Sequence, residues 1–351
     1  MEQILLLITT GEDGSLEKAA LEAVTAARDL ACALGGSVWT VGLIGGLVQP
    51  AADRLAGCGA AGFLAVEGTE FAAARYASDA AAAEALCRLT GANLVLAPGT
   101  SRLMRVLGGV AQRLGGAIDT HVVGLKVDDG TLRADRSYYR QRIEATLTRN
   151  RRPWILALEP GSFLPWNGPS GTAAVRRIEP ELGPEAKRTE VLGFQAAEAG
   201  EQTIRPDADL LFVAGAGWTK KQPDGRTHVE EAAQLILEFV RRTKASLGSS
   251  KSLVDLAGEG QAVLPFLTPL HQVGQTGATP RHPKGLATCC HGEEPHVVGW
   301  RFIRERRAIN LDANCGWARG KADVLYVADA FEVLRAALRL LADQSEEAPQ
   351  N

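Results

Sequence analysis

Short apolar runs alternate with longer amphipathic stretches through the first third of the chain. Ile4 to Ile8, Val38 to Ile44, Phe63 to Val66 and Leu94 to Ala97 have the length and apolar density of buried strands. Interleaved with them, Leu16 to Leu34, Ala72 to Leu89 and Leu103 to Leu114 are rich in Ala and Leu at helical spacing. The first and last of these close on glycine pairs, Gly35-Gly36 and Gly115-Gly116. This βαβ rhythm predicts a parallel, doubly wound sheet. Beyond Gly116 the segments shorten to Val122 to Val127, Leu132 to Tyr138, Ile143 to Thr148 and Trp154 to Leu158, the first two joined at Asp129-Gly130. They predict antiparallel strands that finish a first domain.

A change of composition then marks a boundary. Pro160, Pro165, Pro169, Pro180, Pro184 and Pro206 fall among many charges, the composition of an inter-domain connection. The expected division is a first domain over 1–160, a proline-rich linker over 161–204 and a second domain over 205–345. The second opens on the apolar run Leu210 to Ala214, turns at Gly215-Ala216-Gly217 and enters a helix over His228 to Arg242. It ends on a strand, Val324 to Ala328, that passes through Asp329 into a helix over Phe331 to Leu341. The fold class is α/β with two doubly wound domains.

Charge narrows the choice of partner. The 351 residues carry 38 Lys and Arg against 41 Asp and Glu, a net charge of -3, so the concentrated basic face that nucleic acid requires is not expected. The stretch Arg301 to Arg307 is interrupted by Glu305 and reads as a solvated face. Six cysteines contain no CxxC pair, which predicts neither a disulfide framework nor a zinc ribbon. The start, Met1-Glu2-Gln3 before a short apolar run, lacks the basic region of a signal peptide, and no run approaches a membrane span. A cytoplasmic protein without membrane insertion is the expectation.

Candidate chemistry gathers in the second half. Gly215-Ala216-Gly217-Trp218 after a buried strand is half of a dinucleotide fingerprint, and a plain tight turn explains it equally well. The run Gln272-Val273-Gly274-Gln275-Thr276-Gly277 is more specific: its glycines let backbone amides approach a ligand, while Thr276 and Gln275 supply neutral hydrogen-bond donors. Cys289-Cys290-His291-Gly292-Glu293-Glu294-Pro295-His296 is the densest polar cluster. It could hold a metal, an iron-sulfur group or a cofactor. Pro295 opposes a regular helix and the usual cysteine spacings are missing, so a cofactor-cradling loop is favoured. No Ser-His-Asp, Cys-His or paired-carboxylate arrangement stands out, and no catalytic residue is assigned.

The order of these segments resembles the alpha subunits of electron transfer flavoproteins. The matching positions are Gly215 to Trp218, Ser250-Lys251, Val273 to Gly277, His291 to His296, Ala308-Ile309-Asn310 with Asp312, and Ala322-Asp323. Gly14-Ser15-Leu16, Leu96 to Thr100, Tyr138-Tyr139 and Ala145-Thr146 extend the resemblance through the first half. The resemblance implies an adenine nucleotide alpha hydrolase-like first domain and a Rossmann-like, FAD-binding second domain. It implies a cofactor site drawn from Gly215, Gly217, Ser250, Lys251, Val273, Gly274, Gln275, Thr276, Gly277, His291, Gly292, Glu293, Glu294, His296, Asn310 and Asp323. It further implies a beta-type partner subunit, a flavin dehydrogenase as electron donor and a quinone-linked or other redox acceptor, hence a carrier rather than an enzyme with its own substrate.

The sequence also departs from that family. The arginine expected in the first turn is Gly217, the Ser-Arg pair is Ser250-Lys251, and the SGxxQH loop reads His291-Gly292-Glu293-Glu294-Pro295-His296, with its serine and glutamine replaced and two carboxylates introduced. A flavin-free, structural or adaptor subunit of a larger oxidoreductase complex is therefore the alternative expectation.

Overall fold

The computed structural model describes residues 2–139, 143–193, 204–205, 207–255, 263–273, 281–288, 300 and 303–346, which fall in two compact units, Met1–Phe194 and Gln195–Asn351. In the first unit the apolar runs become strands β1 (Ile4–Thr9), β2 (Trp39–Gly45), β3 (Phe63–Glu67) and β4 (Leu94–Pro98). The stretches between and after them form helices α1 (Lys18–Ala33), α2 (Gln49–Leu55), α3 (Tyr76–Thr90) and α4 (Ser101–Arg113). Strands β5 (Ala117–Asp128), β6 (Thr131–Tyr138), β7 (Ile143–Leu147), β8 (Trp154–Leu158) and β9 (Val175–Arg177) complete a nine-stranded sheet in the order β7-β6-β5-β8-β4-β1-β2-β3-β9.

Alternate residues of β1 explain why its run is apolar throughout. Ile4, Leu6 and Ile8 pack with α1 and α2 on one face, while Leu5 and Leu7 pack with α3 and α4 on the other. Burial on both faces removes the polar alternation a half-exposed strand would show. The same physics corrects one expectation. Strands β6 and β7 are antiparallel to their neighbours, but β8 runs parallel to both β4 and β5 and lies between them. Its sequence, Trp-Ile-Leu-Ala-Leu, is buried at every position, the signature of an interior parallel strand rather than an end strand.

Much of the proline-rich stretch belongs to the body of the first unit. Trp166 and Ala173 join the cluster around α1 and α2, and the Arg54 guanidinium lies over the Trp166 ring at 4.8 Å. The Gly171 and Ala173 amides both donate to Asp53, to its carbonyl and its carboxylate respectively. Strand β9 then pairs in parallel with β3, and Ile178 and Leu182 pack on the α3 and α4 side. Residues 161–187 thus form a strap that crosses from one helical layer, around the sheet edge, to the other.

A buried ion pair joins the two helices of that second layer. Arg102 of α4 donates through Nε and Nη2 to the two carboxylate oxygens of Asp79 in α3, at 2.8 and 2.6 Å, and Nη2 also donates to the Phe71 carbonyl at 2.6 Å. Asp79 is 1% exposed. Replacing Asp79 with alanine strands the guanidinium and is expected to cost about 3–5 kcal/mol. Thermal and denaturant unfolding measure this, and a loss below about 1 kcal/mol would show that the pair is not structurally required.

The second unit has a five-stranded sheet in which every neighbouring pair is parallel: β10 (Leu210–Ala214), β11 (Ser246–Ser249), β12 (Lys284–Thr288), β13 (Glu305–Asn310) and β14 (Val324–Val327), ordered β11-β10-β12-β13-β14. An isolated parallel bridge, Ser249 to Gln272, adds a further contact outside β11. Counting that bridge as the third strand position gives the order 3-2-1-4-5-6 of a Rossmann sheet. Helices α5 (Val229–Thr243), α6 (Lys251–Asp255) and Ala330–Glu346 carry residues of one apolar cluster, and the helix Gly316–Lys321 contributes to the opposite one.

Candidate functional site

Because the second sheet is parallel, all its carboxyl ends open at one edge, and β10 is where the strand order reverses between β11 and β12. Ligands of open α/β sheets lie at such a switch point. The β10 exit is tightly built. The Gly215 amide donates to the Thr288 carbonyl at 2.9 Å, tying the turn to the end of β12. A short 3-10 turn, Ala216–Thr219, follows. Trp218, fully buried, donates its indole N–H to Thr288 Oγ1 at 2.9 Å, and Thr288 Oγ1 donates to the Val213 carbonyl at 3.0 Å. The Trp218 ring packs on Phe331, with centroids 4.5 Å apart. Gly217 lies inside this turn, and its carbonyl accepts from the Gln222 side-chain Nε2 at 3.1 Å.

The neighbouring exits bring further predicted residues to the same edge. Ser250, fully buried, donates its amide to the Ala214 carbonyl at 2.8 Å, and its hydroxyl accepts from the Leu253 amide at 3.3 Å, capping α6. Lys251 is exposed in the first turn of that helix. Val273 is buried, with its amide on the Ser249 carbonyl at 3.1 Å. A Cβ at Gly248 would sit 2.7 Å from the Val273 side chain, so only glycine lets the strand end and this loop approach so closely. Asn310 ends β13, and its side-chain oxygen accepts from the Asp312 amide at 2.9 Å. Gly215, Gly217, Ser250, Lys251, Val273 and Asn310 therefore share one edge of the sheet.

Asp323 does not join them, which corrects its assignment as a cofactor contact. It precedes β14, at the amino edge, where its carboxylate accepts from the Arg306 amide at 2.7 Å and from Arg306 Nη2 at 2.8 Å. That arginine holds its carboxyl below the usual carboxylate range. The acid at the carboxyl edge beyond β14 is Asp329, whose Oδ1 accepts from the Glu332 amide at 3.1 Å at the start of the last helix. Its place was readable: an acid directly after an apolar strand and before a helix occupies the edge where ligands bind. Thr288 and Trp218 also emerge as builders of the turn, through a contact between segments 70 residues apart that no local pattern announces. Gly274, Gln275, Thr276, Gly277, His291, Gly292, Glu293, Glu294 and His296 lie outside the described residues.

Apart from Lys251 and Asp329, the strand-exit groups at this edge are neutral: glycine backbone, the Ser250 and Thr288 hydroxyls and the Asn310 amide. Buried hydroxyl and amide groups at strand ends can cradle a pyrophosphate with little net charge, and an acid such as Asp329 suits a ribose. The first turn contributes no charge at Gly217. Among the described residues no cluster of three metal-ligating side chains occurs, and no helix is long and apolar enough to cross a membrane.

Comparison with known proteins adds to this geometry. The chain is 26% identical to Protein FixB of Clostridium saccharobutylicum over 306 residues, covering 86% of this chain and 85% of that protein. It is 27% identical to the electron transfer flavoprotein subunit alpha of Thermoanaerobacterium thermosaccharolyticum over 228 residues, covering 64% and 63%. Protein FixB of Bradyrhizobium diazoefficiens is 28% identical over 247 residues, covering 69% of this chain and 62% of the relative. The family model of the electron transfer flavoprotein domain matches residues 4–182, from β1 into the strap, and the chain belongs to that family as an alpha-type member.

Proposed function

We propose that this chain binds FAD at the carboxyl edge of its second sheet and, paired with a beta-type subunit, relays electrons from a flavin dehydrogenase to a quinone-linked or other redox acceptor. The observation that carries the reading is the convergence of the glycine turn after β10, Ser250 after β11 and Asn310 after β13 on one switch-point edge. Electron transfer flavoproteins are flavoproteins whose alpha-type chains pair with a beta subunit, which supports both the cofactor and the partner. FAD would supply the redox chemistry. The chain would supply binding, orientation and electrostatics. Gly274, Gln275, Thr276, Gly277, His291, Gly292 and His296 are proposed to complete the cradle, and Asp329 replaces Asp323 as the acid beside it.

Visible absorption of the purified heterodimer tests this. A yellow chromophore, bleached by dithionite and released as FAD on denaturation, is the expected result. A colourless but stable heterodimer that takes up no added FAD would instead establish the flavin-free adaptor.

A further inference from the structure

Two buried polar atoms meet at the end of β11 without a hydrogen-bond partner among the described residues: the Ser249 hydroxyl oxygen and the Gln272 side-chain amide nitrogen. Ser249 is 0% exposed and Gln272 is 3% exposed. The two residues form the isolated parallel bridge, and residues paired in this way project to the same face of a sheet. That face is the one of Leu247, two positions before Ser249, which belongs to an apolar cluster with Leu253 and Leu264. Val273 turns the other way, against Gly248 and Leu211. The backbone at the bridge is satisfied, since the Val273 amide donates to the Ser249 carbonyl at 3.1 Å and the Gln272 amide to the Pro269 carbonyl at 3.2 Å.

Unsatisfied polar atoms inside a protein are destabilising, and an apolar cluster beside them would accept alanine and methionine at these positions. Two such atoms on directly paired residues mark a place kept polar for something that enters it. Each stands one residue from a predicted cofactor contact, Ser249 next to Ser250 and Gln272 next to Val273. We propose that Ser249 and Gln272 are ligand-contacting residues, their hydroxyl and carboxamide donating to an oxygen of the bound flavin nucleotide. This rests on the FAD reading above and adds a third wall to that site, on the side of the sheet beyond β11.

The test uses the full-length heterodimer with FAD removed and then restored, comparing wild type, Ser249→Ala and Gln272→Met. Losing a donor to the cofactor is expected to weaken FAD binding about tenfold, about 1.4 kcal/mol, for each variant. The flavin-free form is expected to melt at the same temperature as wild type or higher, because an unsatisfied group has been removed. An unchanged FAD affinity would overturn the proposal; if the flavin-free protein also melted lower, the pair would be holding structural water. Should Gln272→Met fail to fold, Ser249→Ala, which only removes an oxygen, carries the same comparison. A wild-type heterodimer that takes up no FAD would refute the functional reading and this inference together, whereas normal FAD uptake by both variants refutes the inference alone.

Discussion

A chain cut after Pro160 is expected to lose its first unit altogether, whereas one ending near residue 190 is expected to keep it. The strap that the shorter fragment lacks supplies Trp166 to one apolar cluster and packs Ile178 and Leu182 against the other, and it covers the β3 edge with β9. Trp166 is 5% exposed, and truncation of a buried tryptophan to alanine costs about 3–5 kcal/mol. Loss of the whole strap removes several such contributions from a total that is typically about 5–15 kcal/mol for a domain. It also uncovers an apolar parallel edge, since β3 reads Phe-Leu-Ala-Val-Glu with four of its five residues buried. The longer fragment should be monomeric with a cooperative melt, and the shorter one insoluble or unfolded by circular dichroism. Equal melting temperatures for the two would mean that the strap is an ornament on an already complete fold. The single substitution Trp166→Ala, in the full chain, gives an intermediate check through its own loss of stability.

How much of this was readable beforehand follows from where the information lies. Strands such as β1 and β4 announce themselves because burial on both faces leaves unbroken apolar runs, and α1 announces itself by its alanine-rich spacing and the glycines after it. The strap resembles a linker in sequence for an equally physical reason. Its prolines, charges and single anchoring residues look like a solvated connection, and its partners, Asp53, Arg54 and β3, lie more than 100 residues earlier in the chain. The orientation of β8 is hidden because the turn at Asp129-Gly130 suggests a meander that its fully buried pattern contradicts. In the site, residues at strand exits were legible through glycine and the resemblance, but Asp323 and Asp329 flank the same short strand β14. Only pairing register tells which of the two acids stands at the carboxyl edge, and Asp323 is fixed to the other end by Arg306.

Gly217→Arg is expected to make the bound flavin easier to reduce. The first turn of the second unit carries no charge at this position, although it leaves the sheet at the switch point where the cofactor is proposed to lie. The backbone there is a 3-10 turn, a conformation that any residue adopts, so arginine imposes no left-handed strain. One unit charge at about 4 Å in an effective dielectric near 20 is worth about 4 kcal/mol before screening. Even a quarter of that, about 1 kcal/mol, would raise a one-electron potential by about 43 mV. Exposed cations already stand near this edge, Lys220 directly after the turn and Lys251 on the first turn of α6, and their presence reduces rather than reverses the expected rise. Gly217 is buried, so bulk alone could disturb the turn, and Gly217→Leu separates the two effects because it adds volume without charge. Potentiometric titration of the three FAD-loaded heterodimers decides between them. A rise with arginine but not leucine supports an electrostatic role for the missing charge. If the arginine variant keeps its flavin and its potential matches wild type, the turn does not face the reducible ring.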